Sequence, residues 1–74
     1  MKNKFIKMDN VTDISSFVNE ASKVEGDITI VKGRYVIDGK SIMGVMSIDI
    51  STGATVEYPA EAADFEKFIT KFEF

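Results

Sequence analysis

The sequence predicts a two-layer α+β fold, an antiparallel sheet with helices packed on one face, and three observations carry that expectation. Two segments repeat apolar residues at helical spacing, four others are short and rich in strand-favouring residues, and each element has one apolar side. Elements of that kind must bury their apolar sides against one another, which leaves a sheet covered by a helical layer.

Lys4-Phe5-Ile6-Lys7-Met8 reads as a first strand, and its interspersed lysines suit a sheet edge. After Asp9-Asn10 the period changes: Val11, Ile14, Phe17, Val18 and Ala21 line one face of a helix ending near Lys23. Asn10 is its N-cap, and Asp13, three residues on, completes a capping-box-like pair. Asp27–Val31 and Arg34–Asp38 flank Lys32-Gly33, a two-residue hairpin connection. Ile28 and Ile30 share one side of that hairpin with Tyr35 and Ile37.

A short helix follows from about Ser41 to Ser47, then a turn at Ser51-Thr52-Gly53. The fourth strand is Ala54–Tyr58, with Ala54, Val56 and Tyr58 inward and Pro59 as its stop. From Glu61 to about Phe72, the residues Phe65, Phe68, Ile69 and Phe72 mark the last helix, with acids early and lysines late as the macrodipole prefers. The order is β-α-β-β-α-β-α, a four-stranded antiparallel sheet with three helices on one face.

Composition narrows the chemistry. Residues 1–74 suffice for a single small domain, and with 45% hydrophobic residues and no cysteine the fold must be held by packing alone. The absence of both histidine and cysteine argues against a transition-metal site, and no cofactor is expected. A net charge of −3 with Arg34 as the one arginine argues against nucleic acid as a partner. Met1–Asn10 has no apolar stretch of signal-peptide type, and no run approaches the roughly 18 residues of a membrane span, so a cytoplasmic location away from membranes is expected. Glu61, Asp64 and Glu66 fall on the wet side of a helix, and the glycines are isolated turn residues rather than a phosphate loop. No catalytic constellation emerges, so the chain does not read as an enzyme; Asp9 and Asp13 would be an acidic site only by their proximity.

The informative stretch is Gly39–Ile50, GKSIMGVMSIDI. On a helix starting at Ser41, Val45 and Ile48 gather on one side while Ile42, Met43 and Met46 gather on another. Two turns of helix cannot bury both sides. If Val45 and Ile48 face the sheet, Ile42, Met43 and Met46 form an exposed patch suited to varied partners; the alternative makes the methionines core filler. Ser41 stands where a hydroxyl caps free N–H groups, and a phosphate there would add about −1.5 to −2 charge beside the patch.

Lys40–Ile48, KSIMGVMSI, closely resembles the regulatory serine region of HPr, the phosphocarrier family of the bacterial phosphoenolpyruvate-dependent sugar phosphotransferase system. Phe17-Val18-Asn19-Glu20-Ala21, Asp27-Ile28-Thr29-Ile30 and Gly53-Ala54-Thr55-Val56 resemble the family's first helix, second strand and fourth strand. The resemblance implies an open-faced β-sandwich of HPr type. It implies that Ser41 is the serine presented to an ATP-dependent HPr kinase/phosphorylase, and that Lys40, Ile42, Met43 and Met46 meet protein partners. Those partners would be phosphotransferase-system proteins or a catabolite-control transcription factor. The family's phosphohistidine loop, Gly-Leu-His-Ala-Arg-Pro, has no counterpart: the region reads Met8-Asp9-Asn10-Val11-Thr12-Asp13, with Asn10 near the place of the histidine. Gly39 also replaces a larger residue of the family. The resulting expectation is a regulatory or adaptor protein unable to carry phosphohistidine. The alternative is an accessory domain that forms a homodimer through the same patch and has no signalling role.

Overall fold

The computed structural model describes residues 1–73. Its elements are β1 (Lys2–Ile6), α1 (Val11–Ser22), β2 (Thr29–Lys32), β3 (Tyr35–Asp38), α2 (Ile42–Met46), β4 (Ala54–Tyr58) and α3 (Ala63–Thr70), with a 3-10 turn over Ile50–Thr52. The four strands form one sheet in the order β1-β4-β2-β3, all neighbours antiparallel. The element order and the open-faced, two-layer arrangement are those expected from the sequence.

Alternation along β4 does most of the sorting. Ala54, Val56 and Tyr58 are buried while Thr55 and Glu57 are half-buried on the opposite face. The register carries that division across the sheet, setting Ile6 beside Ala54, and Ile30 beside both Val56 and Ile37. Phe17 and Ala21 of α1, Val45 of α2, and Phe65 and Ile69 of α3 close the core from above. Within it the Phe65 ring meets Phe17 edge-on at 5.5 Å and Tyr58 at 5.9 Å, both T-shaped contacts that suit the aromatic quadrupoles.

The structure moves several sequence-derived boundaries, each for a local reason. β1 begins two residues earlier than expected because its pairing with β4 runs from Lys2↔Tyr58 to Ile6↔Ala54. Met8 lies beyond the strand and is buried, its N–H donating to the Ile50 carbonyl at 3.2 Å. The hairpin loop is Gly33-Arg34 rather than Lys32-Gly33, since Lys32 pairs with Tyr35. Gly33 has φ +59°, and a glycine in the first loop position is what a II′ turn requires. The shift makes Lys32 a strand residue whose ammonium bonds the Thr52 hydroxyl and, at 3.0 Å, the Gly53 carbonyl, tying β2 to the start of β4. Tyr35 shares the sheet side of Ile30 and Ile37, yet it is 59% exposed because it stands at the hairpin end.

Asn10 caps α1 as expected, its Oδ1 accepting the Thr12 N–H at 2.7 Å, but Asp13 makes no reciprocal bond among the described residues. The usual partner at that position is the longer Glu or Gln. Val11, expected on the core face, is 64% exposed, because the first turn of α1 overhangs the packed layer. α3 is shorter at both ends: Ala62 N–H bonds the Pro59 carbonyl in a turn before it, and beyond it Glu73 bridges to Ile6 on the outer side of β1.

One polar cluster joins sheet and helix. The Tyr58 hydroxyl donates to Glu66 Oε2 at 2.6 Å, and Lys2 Nζ meets the same oxygen at 2.8 Å. The bonds from Lys2 and Tyr58 hold the Glu66 carboxyl below the usual carboxylate range; burial, and then the Glu66 bond, push the Tyr58 phenol up. A depressed carboxyl stabilises the fold above its unfolded pKa and loses that contribution as pH falls through its folded value. A raised phenol acts at the other end, since above about pH 10 the unfolded chain ionises while the folded one resists. Denaturation midpoints are therefore expected to drop above about pH 10 less steeply in Tyr58→Phe than in the parent. Equal slopes would remove this account of Tyr58.

Candidate functional site

α2 is placed by its flanks before its own residues act. Gly39 N–H donates to the Ile28 carbonyl at 2.7 Å, and a Cβ at this position would sit 2.6 Å from Ile28 Cγ2. A glycine here lets the chain pass close to Ile28, just before β2, without displacing that side chain. The Asp38 carboxylate then accepts the Lys40 N–H at 2.9 Å, and the Asp38 carbonyl accepts the Ser41 N–H at 3.1 Å. Lys40 extends its ammonium to the Val24 carbonyl at 2.7 Å, in a partly buried bond that pins the approach to α2 against the end of α1. The structure thus gives the Lys40 head group a partner within the chain.

Ser41 is the N-cap of α2. It is extended, with φ −103° and ψ 112°, its Oγ accepts the Gly44 N–H at 3.1 Å, and its carbonyl accepts the Val45 N–H at 2.9 Å. At the other end the Ser47 hydroxyl donates to the Gly44 carbonyl at 2.6 Å. With both ends tied, Val45 is completely buried and Ile48 packs at the core margin. Met43 is 82% exposed, Met46 46% and Ile42 38%. The exposed-patch alternative is the one the geometry adopts, and the methionines are not core filler.

Two features beside this patch escaped the sequence reading. Val11, from the overhanging turn of α1, faces Met46 across a shallow hollow of about 270 Å³, lined also by Ile14, Ile48, Asp9 and Asp49. On the hairpin side, Tyr35 and Lys32 border a second hollow of about 310 Å³ with Ser47, Ile48 and Asp49. Asp49 caps the 3-10 turn, its Oδ1 accepting from the Ser51 N–H at 3.1 Å and from the Ser51 hydroxyl. Those bonds, with Lys32 contributing, hold its carboxyl below the usual range, so it is ionised at neutral pH. Periodicity put Val11 on the core face and said nothing of Asp49, because one stands at the exposed first position of a helix and the other between elements.

Residues 13–73 match the protein family described as "PTS HPr component phosphorylation site". The chain belongs to the HPr family. It is 36% identical over 55 residues to the HPr-like protein Crh of Bacillus subtilis, a match covering 74% of this chain and 65% of that relative, just under two thirds of its length. Among solved structures, it is similar to HPr-C-His from Thermoanaerobacter tengcongensis, with a TM-score of 0.78 and 25% identity over 96% of this chain and 89% of that one. The phosphocarrier protein HPr from Bacillus anthracis gives a TM-score of 0.70 with 26% identity, over 97% and 96% of the two chains.

The HPr family match covers residues 13–73, so Asp9 and Asn10 lie before it. There Asn10 spends its side-chain oxygen on capping α1, and Asp9 makes neither an ion pair nor a hydrogen bond among the described residues. No group of three or more His, Cys, Asp or Glu among the described residues could hold a metal ion, and no described helix is long and apolar enough to cross a membrane.

The division of labour along α2 makes a stability prediction. Val45→Ala is expected to lower stability by roughly 2 kcal/mol through lost burial and a cavity, and Ser41→Ala by about 1 kcal/mol through the lost cap. Met43→Ala should change it by less than about 0.5 kcal/mol. Urea denaturation measures all three, and equal losses for Met43 and Val45 would contradict an outward Met43. Gly39→Ala is expected to cost about 1–3 kcal/mol by overpacking against Ile28; an unchanged midpoint in the same titration would show that β2 can yield there.

Proposed function

We propose that this chain is an HPr-like regulatory or adaptor protein of the phosphotransferase system, a single domain over residues 1–74 that works in the cytoplasm. It docks protein partners through Ile42, Met43 and Met46, with Lys40 and Val11 at the margin, and phosphorylation of Ser41 adjusts that docking. The observation that carries the reading is the exposure of three large apolar side chains on a short helix whose one anchor, Val45, is fully buried. Monomeric proteins leave large apolar side chains grouped on one surface mainly where something binds.

Ser41 supports a regulatory role by position. Its hydroxyl is half-buried at the start of α2, beside Ile42 and Met43, and a phosphate on Oγ would set about two negative charges at the edge of the apolar surface. The candidate modifying enzyme is an HPr kinase/phosphorylase, and the candidate docking partners are phosphotransferase-system proteins or a catabolite-control transcription factor. The chain does not carry phosphohistidine and is not an enzyme: it contains no histidine, and the amide of Asn10 is no nucleophile for phosphoryl transfer.

Incubation with HPr kinase and ATP is expected to place phosphate on Ser41 and none on Ser41→Ala. Incubation with phosphoenolpyruvate and the first enzyme of the system should transfer none. Failure of the first, together with a Ser41→Ala variant that binds partners like the parent, would remove the switch and leave the adaptor. A dimer in sedimentation that Met46→Asp abolishes would favour self-association instead.

A further inference from the structure

We infer that the partner docked on α2 presents a basic side chain, Arg or Lys, which enters the hollow between Met46 and Val11 and ends between Asp9 and Asp49. The inference rests on the docking reading above and adds the sign of charge that the partner must carry.

Four observations on this surface lead to it. The hollow has apolar walls, Val11, Ile14, Met46 and Ile48, and two carboxylates, Asp9 and Asp49, with no basic residue lining it. Asp9 is exposed and has no intramolecular partner among the described residues. Asp49 is held by Ser51 through Oδ1, and its Oδ2 has no hydrogen bond among the described residues. The cation that acts on Asp49, Lys32, is already committed to Thr52 and Gly53. Lys32 offsets part of the Asp49 charge from the hairpin side, but it does not line this hollow.

Size and chemistry narrow the occupant. At about 270 Å³ the hollow is open and falls below the roughly 300–1,000 Å³ typical of small-molecule sites. It suits one long side chain. Arg and Lys have the required shape, an apolar stem that lies along Val11 and Met46 and a charged head that stays near water. An acidic partner would instead bring like charge against two carboxylates beside desolvating methionines, which is unfavourable. The occupant is therefore a protein segment with a basic residue among apolar ones, the apolar ones lying on Met43 and Ile42.

The test uses three synthetic peptides, identical except for a central Arg, citrulline or Glu flanked by Leu and Met, titrated into isotope-labelled full chain and read by amide chemical shifts. The Arg peptide is expected to shift Asp9, Val11, Met46 and Asp49, to bind about five- to tenfold more tightly than the citrulline peptide, and to lose that advantage between about 0.05 M and 0.5 M salt. Asp9→Asn, which leaves the turn at Asp49 intact, should reduce the advantage, and Asp9→Lys should reverse it in favour of the Glu peptide. Unchanged spectra away from the site control for folding. Equal binding of all three peptides at α2 would overturn this inference while leaving the docking reading in place. No shifts at α2 with any peptide would overturn both. Concentration-dependent dimerisation weakened by Asp9→Asn would overturn the inference by identifying the occupant as a second copy.

Discussion

The central strand β4 is the constraint on which the other elements depend. It pairs with β1 on one side and β2 on the other, so its alternation decides which face of the whole sheet is apolar. Tyr58 at its end touches Phe65, and Phe65 touches Phe17, so one chain of rings joins the sheet to α3 and α1. The same tyrosine, through its hydroxyl, sets Glu66 and Lys2 at the rim. Without cysteine there is no covalent staple in reserve, and fixing these elements rests on packing of this kind.

With α1 and α3 filling most of the helical layer, α2 contributes one buried anchor. Val45 takes it, and the rotation of a five-residue helix is then settled, because Ile42, Met43 and Met46 have nowhere to go but outward. The capping serine and the committed Lys40 hold that rotation from the N-terminal side. The surface belongs to the core's geometry as much as to α2 itself. Val11 and Asp9 join it only because α1 starts where the layer ends, and Asp49 because the chain must turn into β4 through a 3-10 segment.

Much of this was legible in the residues. The element order, the inward set on β4, the apolar stripe of α3 and the N-caps Asn10 and Ser41 follow from periodicity and side-chain chemistry, and the structure contains them all. The run Lys40–Ile48 also pointed to the HPr family, to which the chain belongs. What misled was local ambiguity. Lys32-Gly33 and Gly33-Arg34 are both plausible two-residue loops, and the choice between them rests on which loop position receives the positive φ. Val11 fits the helical period, yet a period cannot say where the opposing layer stops.

By itself, then, the sequence determined the kinds of element, their order, the apolar side of each and the absence of histidine and cysteine chemistry, because these depend on residue type and short-range spacing. Only the tertiary structure decided the hairpin register, the strand work of Lys32, the inward bond of Lys40, and the meeting of Val11 and Asp9 with Met46 and Asp49 around one hollow. Apart from the hairpin register, a choice between two local loops, these are contacts between residues distant in the chain. They arise when the two layers close on each other, and no short window of sequence contains both partners.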